Sequence, residues 1–302
     1  MILKGQNLRI YTVDGGDATV VGMATNCTIN LNTSTDDASH KDIVGMAPMP
    51  TVTSKSWSVS VDSLSVSDVA AILTAVKNLK LFTLMWDESS TTDNQSTEQA
   101  DFARTGDAYL SDVTFSWDDR TNSTKSLTFT GVGEVKAVTS GQFADNPIAV
   151  GNYTKGQFVR LFLGSDNTAA PTTVIAAAKT LSLHVSLTLE DATTKDTAGE
   201  WQIQEPTALS YDISTGALMR SGETITSQVG AKSVSDLETI YENGTPVKWK
   251  IANVSGDNNR TASSTIVSGS VVLQTLTLNG PNRQNADYTA QFAGYGTYDV
   301  AA

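Results

Sequence analysis

The chain contains one cysteine, Cys27, so no disulfide can form within it. Prolines number only seven in 302 residues, which leaves room for long uninterrupted strands. No apolar run reaches the roughly 18 residues that span a bilayer as a helix, so no membrane span is expected. The opening residues, Met1-Ile2-Leu3-Lys4, show no basic segment followed by an apolar one, so no secretory signal is legible there. Cations are scarce: 20 Lys and Arg stand against 32 Asp and Glu, a net charge of −12. Residues 1–150 hold 18 acids and 10 bases (net −8), and residues 151–302 hold 14 and 10 (net −4). That balance excludes gripping nucleic acid, which needs clustered cations on the phosphates, but it permits nucleic acid to pass without sticking. His40 and His184, the two histidines, have no Cys or His beside them, so no zinc site is expected. No cofactor is expected either.

What the chain does have is itself, twice. Lys4-Gly5-Gln6-Asn7-Leu8-Arg9-Ile10-Tyr11 returns as Lys155-Gly156-Gln157-Phe158-Val159-Arg160-Leu161-Phe162, at an offset of 151. Residues 24–64 align without a gap on 178–218, with 10 of 41 positions identical. Residues 106–137 align on 269–300, with 8 of 32 identical, among them Arg120 with Arg283, Phe129 with Phe292, Gly131 with Gly294 and Gly133 with Gly296. Three blocks in the same order mark a duplication. Two copies are too few for a solenoid, so the expectation is two tandem domains, 1–150 and 151–302, each with its own core. Cys27 corresponds to Leu181, which reads as a small buried hydrophobe.

The texture is mainly β. Ser56-Trp57-Ser58-Val59-Ser60-Val61-Asp62 alternates at period two, as does Leu181-Ser182-Leu183-His184-Val185-Ser186-Leu187. Val113-Thr114-Phe115 and Leu127-Thr128-Phe129 flank a polar turn at 118–122, and Leu276-Thr277-Leu278 and Tyr288-Thr289-Ala290 flank another at 279–283. These read as antiparallel hairpins with one buried face. Trp57, Tyr211, Phe129 and Phe292 are expected core anchors. One short packed helix is expected per copy: Val69, Ile72, Leu73 and Val76 make one stripe behind a Ser67 cap. Ser235-Asp236-Leu237-Glu238 reads as a capping box, and Asn243-Gly244 as a stop. The copies differ by an acidic loop at 87–107 and by about 14 extra residues between Leu218 and Ser233. The linker is placed at 139–154. Each copy is thus read as a β-sandwich or barrel with one helix.

An alternating strand, then Asp191-Ala192-Thr193-Thr194-Lys195-Asp196, then the aromatic-led Tyr211-Asp212-Ile213, resembles major tail tube proteins of long non-contractile-tailed bacteriophages. Asp37-Ala38-Ser39-His40-Lys41-Asp42 followed by Ser56-Trp57-Ser58 repeats the pattern in the first copy. The resemblance implies a structural virion protein of the phage tail. It would polymerise into stacked rings around a lumen through which genomic DNA leaves the capsid, binding that DNA nowhere specifically. Family members commonly carry one domain and form six-membered rings; two domains per chain imply homotrimeric, pseudo-sixfold rings. The partners implied are other copies of the chain and the tape-measure, tail terminator and baseplate proteins, after synthesis in the host cytoplasm. The loops 33–56 and 187–210 are the expected ring-to-ring or inter-subunit contacts, with Asp37, Lys41, Asp42, Asp191, Lys195 and Asp196 as polar candidates and Met46, Met49 and Trp201 as apolar ones. Lumen-facing acids are expected to make the bore negative.

Other readings compete. A tandem β-sandwich adhesin or carbohydrate-binding module would use Trp57 and Tyr211 as sugar platforms and would remain monomeric. The inner tube of a contractile tail would share the fold. An enzyme is disfavoured, because no nucleophile–base or paired-carboxylate arrangement repeats between the copies. Asp87, Glu88, Asp93, Glu98 and Asp101 lack the spacing that gathers oxygens around Ca2+. Gly131-x-Gly133 and Gly294-x-Gly296 do not open a helix, so they read as bulges or close backbone approaches and not as a phosphate loop.

Overall fold

The computed structural model describes residues 5, 8–14, 17–21, 24–42, 47–64, 68–88, 103–138, 154–197, 199–219, 231–256 and 260–301. In chain order the first copy forms β1 (Leu8–Asp14), β2 (Asp17–Val20), β3 (Ala24–Asp37), β4 (Pro50–Leu64), α1 (Val69–Lys77), β5 (Leu81–Glu88), β6 (Arg104–Ser116) and β7 (Thr124–Ala137). The second forms β8 (Val159–Leu163), β9 (Thr173–Ile175), β10 (Ala178–Asp191), β11 (Gln204–Leu218), β12 (Ala231–Lys232), α2 (Val234–Asn243), β13 (Val247–Val254), β14 (Ala262–Asn279), β15 (Asp287–Gly294) and β16 (Asp299–Val300). The period-two segments are strands, as expected. In β4, Trp57, Val59 and Val61 are buried while Ser58 and Ser60 look the other way.

The duplication is complete at the level of topology. The first copy's strand order is β2-β1-β5-β6-β7-β4-β3, and the second's is β9-β8-β13-β14-β15-β11-β10, with β12 added beside β9 and β16 beside β14. Even the irregularities recur. The β6–β7 ladder shifts register between Leu110 and Asp112, and β14–β15 shifts between Leu273 and Thr275, the same place at an offset of 163. The β3–β4 shift between Ser34 and Thr35 returns in β10–β11 between Thr188 and Leu189. Bulges re-aim side chains and bend strands, so their retention keeps the curvature of both copies alike. The paired glycines belong to this pattern. A Cβ on Gly131 would sit 2.1 Å from the Trp57 ring, and one on Gly294 would sit 2.6 Å from the Tyr211 carbonyl oxygen. Gly133 and Gly296 share a positive φ, 72° and 74°, where a side chain is strained.

The expected anchors are in the core: Trp57, Tyr211, Phe129 and Phe292 are all buried. Trp57 lies 5.7 Å from Trp86 and Tyr211 lies 5.8 Å from Trp249, ring centre to ring centre. The expectation of two separate cores fails. One apolar cluster takes in Val113, Phe115 and Leu127 from the first half with Leu183, Val185 and Ile213 from the second. The reason is a strand pairing across the halves, described below.

Each copy has its helix. In α1, Val69, Leu73 and Val76 are buried; Ser67 lies outside the described residues, and the residue at the N-cap, Asp68, pairs instead with the buried Lys125 ammonium. In α2 the capping box sits two residues earlier than expected, on Ser233 and Asp236. Ser233 is extended at ψ 177°, which frees its hydroxyl to accept from the Asp236 N–H while the Asp236 carboxylate accepts from the Ser233 N–H at 2.7 Å. Gly244 ends the helix in the left-handed conformation at φ 60°, as expected. The loops expected at 33–56 and 187–210 are largely strand: β3 and β4 extend to Asp37 and from Pro50, β10 and β11 to Asp191 and from Gln204. Polar residues such as Thr33 and Ser34 stay paired because the ladder satisfies their backbone, whatever their side chains face.

Candidate assembly interface

Strand β6 carries three neighbours. Along one edge it bonds β7 for its full length. Along the other, β5 takes residues 104–109 and β10, from the second copy, takes residues 112–116. This second ladder pairs Phe115 with Leu183 and Val113 with Val185. It continues through Trp117 N–H to Leu181 O and Asp119 N–H to Lys179 O, both at 2.8 Å. On the core side of the seam Phe115 and Val113 are 0% exposed, and Leu183 and Val185 are 1% exposed. Burial of each such side chain contributes about 1.5–3 kcal/mol, so the seam is a hydrophobic junction as well as a ladder.

Two further contacts clamp the copies. The loop 192–203 between β10 and β11 reaches back over the first copy: Lys55 N–H donates to Glu200 O at 2.7 Å, Gln202 N–H donates to Lys55 O at 3.0 Å, and Gly133 N–H donates to Gln202 O at 2.8 Å. The Lys55 ammonium also meets the Glu200 carboxylate at 2.7 Å and lies over the Trp201 ring. Elsewhere the Tyr298 hydroxyl donates to Leu73 O of α1 at 2.9 Å, and Lys77 pairs with Asp299 at 3.0 Å.

The seam joins both inner sheets into one run of eight strands, β3-β4-β7-β6-β10-β11-β15-β14. The face of this run turned away from the core is made of hydroxyls, amides and acids. Across successive strands it presents Asn30, Ser58, Thr128, Asp112, His184, Asp212, Gln291 and Thr277, with no Lys or Arg in the middle of any strand. At the seam this face carries His184. His184 Nε2 lies 2.6 Å from Asp112 of β6 and its Nδ1 lies 2.6 Å from Asp212 of β11. Partial burial disfavours the imidazolium, but hydrogen bonds and charge from the two carboxylates outweigh it, and the His184 pKa is raised. The histidine is therefore not isolated, as sequence proximity implied: its neighbours are on other strands, 28 and 72 residues away.

The other expected site residues fall as follows. Asp37 and Asp191 are matched turn-formers: Ser39 and Thr193 hydroxyls donate to them, which lowers both carboxyl pKa values. Ala38 N–H to Met49 O and Ala192 N–H to Ile203 O close the two loops identically, at 2.9 and 2.8 Å. Lys41, Asp42, Lys195 and Asp196 are exposed on these loops. Asp42 lies 3.7 Å from His40. Met49 is 50% exposed, and Met46 lies outside the described residues. Trp201 is half-buried against Lys55, between the copies. Of the acidic loop, residues 89–102 lie outside the described residues, as do 139–153 of the linker and 220–230 of the second insertion. Among the described residues no group of His, Cys, Asp and Glu is arranged to hold a metal ion, and no helix is long and apolar enough to cross a membrane. Sequence reasoning missed the seam itself, His184 and Lys55; the signal for the seam was present in the unbroken alternation of β10.

The family described as phage tail tube protein matches residues 156–300. No curated protein matches the chain. Among solved structures, the tail of an empty gene transfer agent particle, refined with C6 symmetry, is 16% identical with a TM-score of 0.38, over 49% of this chain and 99% of that one. The virion of a native gene transfer agent particle is 14% identical with a TM-score of 0.35, over 49% and 99%. The SPP1 tail tube, from solid-state NMR and cryo-EM, is 14% identical with a TM-score of 0.35, over 48% and 78%. The second half of the chain matches the phage tail tube protein family directly, and the first half repeats the strand order of the second.

Proposed function

We propose that the chain is a major tail tube subunit that closes into rings of three chains, with six quasi-equivalent domains per ring, and that the rings stack into the conduit for the genome. The role is structural and not enzymatic. The observation that carries this reading is the eight-stranded run with one apolar and one polar face. A curved sheet with such faces closes into a tube only by joining its ends to further copies, and closure removes the exposed edges. The polar face would then line the bore. Hydroxyls, amides and the carboxylates of Asp62, Asp112 and Asp212 offer DNA phosphates no cationic foothold beyond His184, which its two aspartates neutralise. Such a wall lets DNA slide past. The exposed loops 38–42 and 192–197 would meet the next ring. Tape-measure, terminator and baseplate proteins would start and end the stack.

Negative-stain electron microscopy of the concentrated protein tests this. Rings or tubes with threefold or apparent sixfold end views are expected. Particles that stay monomeric at every concentration would overturn the reading and favour the tandem binding module.

A further inference from the structure

The two copies also touch through a helix. Inside the chain, α1 of the first copy lies against β16 of the second. The Tyr298 hydroxyl donates to Leu73 O at 2.9 Å, and the Lys77 ammonium meets Asp299 at 3.0 Å. The same ammonium lies 5.9 Å from the centre of the Tyr298 ring, and Tyr298 is 1% exposed.

The repeat locates the equivalent groups. Burial aligns α1 on α2 at an offset of 164: Leu73 and Val76 fall on Leu237 and Ile240, the buried residues of α2, so Lys77 falls on Tyr241. An offset of 163 sets Tyr298 on Val135 and Asp299 on Lys136. The ladders agree with that alignment. The strand β16 bonds β14 as Val300 with Val267 and Asp299 with Ser268, and the end of β7 bonds β6 as Ala137 with Arg104 and Lys136 with Thr105.

On these equivalent groups the helix face is bare. Tyr241 is 56% exposed, and Glu238 and Glu242 beside it are exposed. At the end of β7, Lys136 is exposed and Val135 is half-buried. An aromatic ring on the outer face of a helix is the side chain that interfaces favour, because one ring buries much area at little entropic cost.

Resting on the tube reading above, we propose that Tyr241 of one chain packs on Val135 and Lys136 of the next chain in the ring. The cation and the ring have changed sides. Inside the chain the helix supplies the ammonium and the strand supplies the aromatic; between chains the helix supplies the aromatic and the strand the ammonium. The attraction between an ammonium and a ring face is indifferent to that exchange. Glu238 and Glu242 add charge of the sign that Lys136 needs. Val135 has no hydroxyl, so apolar contact replaces the bond from Tyr298 to Leu73 O.

The test is a charge exchange in the full chain, read by sedimentation and electron microscopy. Tyr241→Lys sets one ammonium against another, and Lys136→Asp sets a carboxylate against Glu238 and Glu242. Each is expected to raise the protein concentration needed for tubes by about tenfold. The double variant Tyr241→Lys with Lys136→Asp rebuilds the pair that Lys77 and Asp299 make inside the chain. It is expected to assemble within about threefold of the unsubstituted concentration. Thermal unfolding of the unassembled chain should be unchanged in all three, since both side chains are exposed. Single variants that assemble normally overturn the contact, and so does a double variant no better than the singles. Amine acetylation of the unsubstituted chain adds a readout free of folding defects: Lys136 is expected to react in the monomer and to be protected in tubes, and equal labelling overturns the contact. Tubes from the unsubstituted chain leave the tube reading standing whatever the variants do. Absence of rings and tubes in that chain overturns both.

Discussion

The covered seam between β6 and β10 and the open edges of β3 and β14 have the same strand geometry, yet only one is buried. Val113, Phe115, Leu183 and Val185 are core, while Leu31 and Leu278, at equivalent positions, face solvent. The contrast teaches that the same apolar pattern is buried only where a further strand lies beside it. On the proposed reading it also separates folding from assembly, since substitutions in the covered seam act on the single chain and those at the open edges act on the rings.

The largest expected break comes from placing a charge at each of two matched positions. Phe115→Asp buries an unpaired carboxylate and removes the ring that stacks on Trp117. A loss of at least about 3–5 kcal/mol is expected in urea unfolding, enough to unfold a marginal domain. Leu278→Asp, its counterpart, is expected to change monomer stability by no more than about 0.5 kcal/mol while abolishing rings in sedimentation. Equal losses of stability at the two sites would erase the comparison.

A smaller effect is expected at the glycines that admit the aromatic anchors. Gly131→Ala forces the Trp57 ring to move, since the new Cβ would lie 2.1 Å from it. Overpacking of this kind costs about 1–3 kcal/mol, to be read as a lowered melting temperature. Gly280→Ala, where nothing lies within 4 Å, should leave that temperature nearly unchanged.

His184 sharpens the comparison by pH. Its folded pKa is raised above an unfolded value near 6.5. The stabilisation is therefore fully present below about pH 6.5 and is lost as pH rises through the folded value. His184→Asn copies the uncharged Asn30 of the open edge. The variant is expected to lose this stretch of pH dependence in urea midpoints measured between pH 6 and 9. Parallel midpoint curves for the two proteins would show that the aspartates do not clamp the ring. The smallest expected effect is at Lys55→Ala. Its pair with Glu200 is partly exposed, with side-chain exposures of 37% and 45%, and such pairs contribute up to about 1 kcal/mol.

Much of this architecture was legible from residues alone. Alternation placed the strands, the matched Trp57 and Tyr211 marked the core, and the repeated Gly-x-Gly pairs marked close backbone approach. Edge exposure was not legible, because Leu31 and Val185 look alike as letters and differ only in whether another strand lies beside them. Nor was the histidine clamp, which joins three strands at sequence separations no local pattern registers. The helix cap is ambiguous by two residues in the sequence because Ser233 and Ser235 both precede an apolar stripe, and backbone geometry decides for Ser233. The outer end of the β3–β4 hairpin reads as loop because residues 33–37, Thr-Ser-Thr-Asp-Asp, carry no apolar alternation.

Cryo-EM of the assembled tubes is the most direct test of the central claim. The account predicts threefold rings in which each chain contributes eight strands to the wall of the bore. Rings built from six chains, or a bore lined by the apolar face, would contradict it.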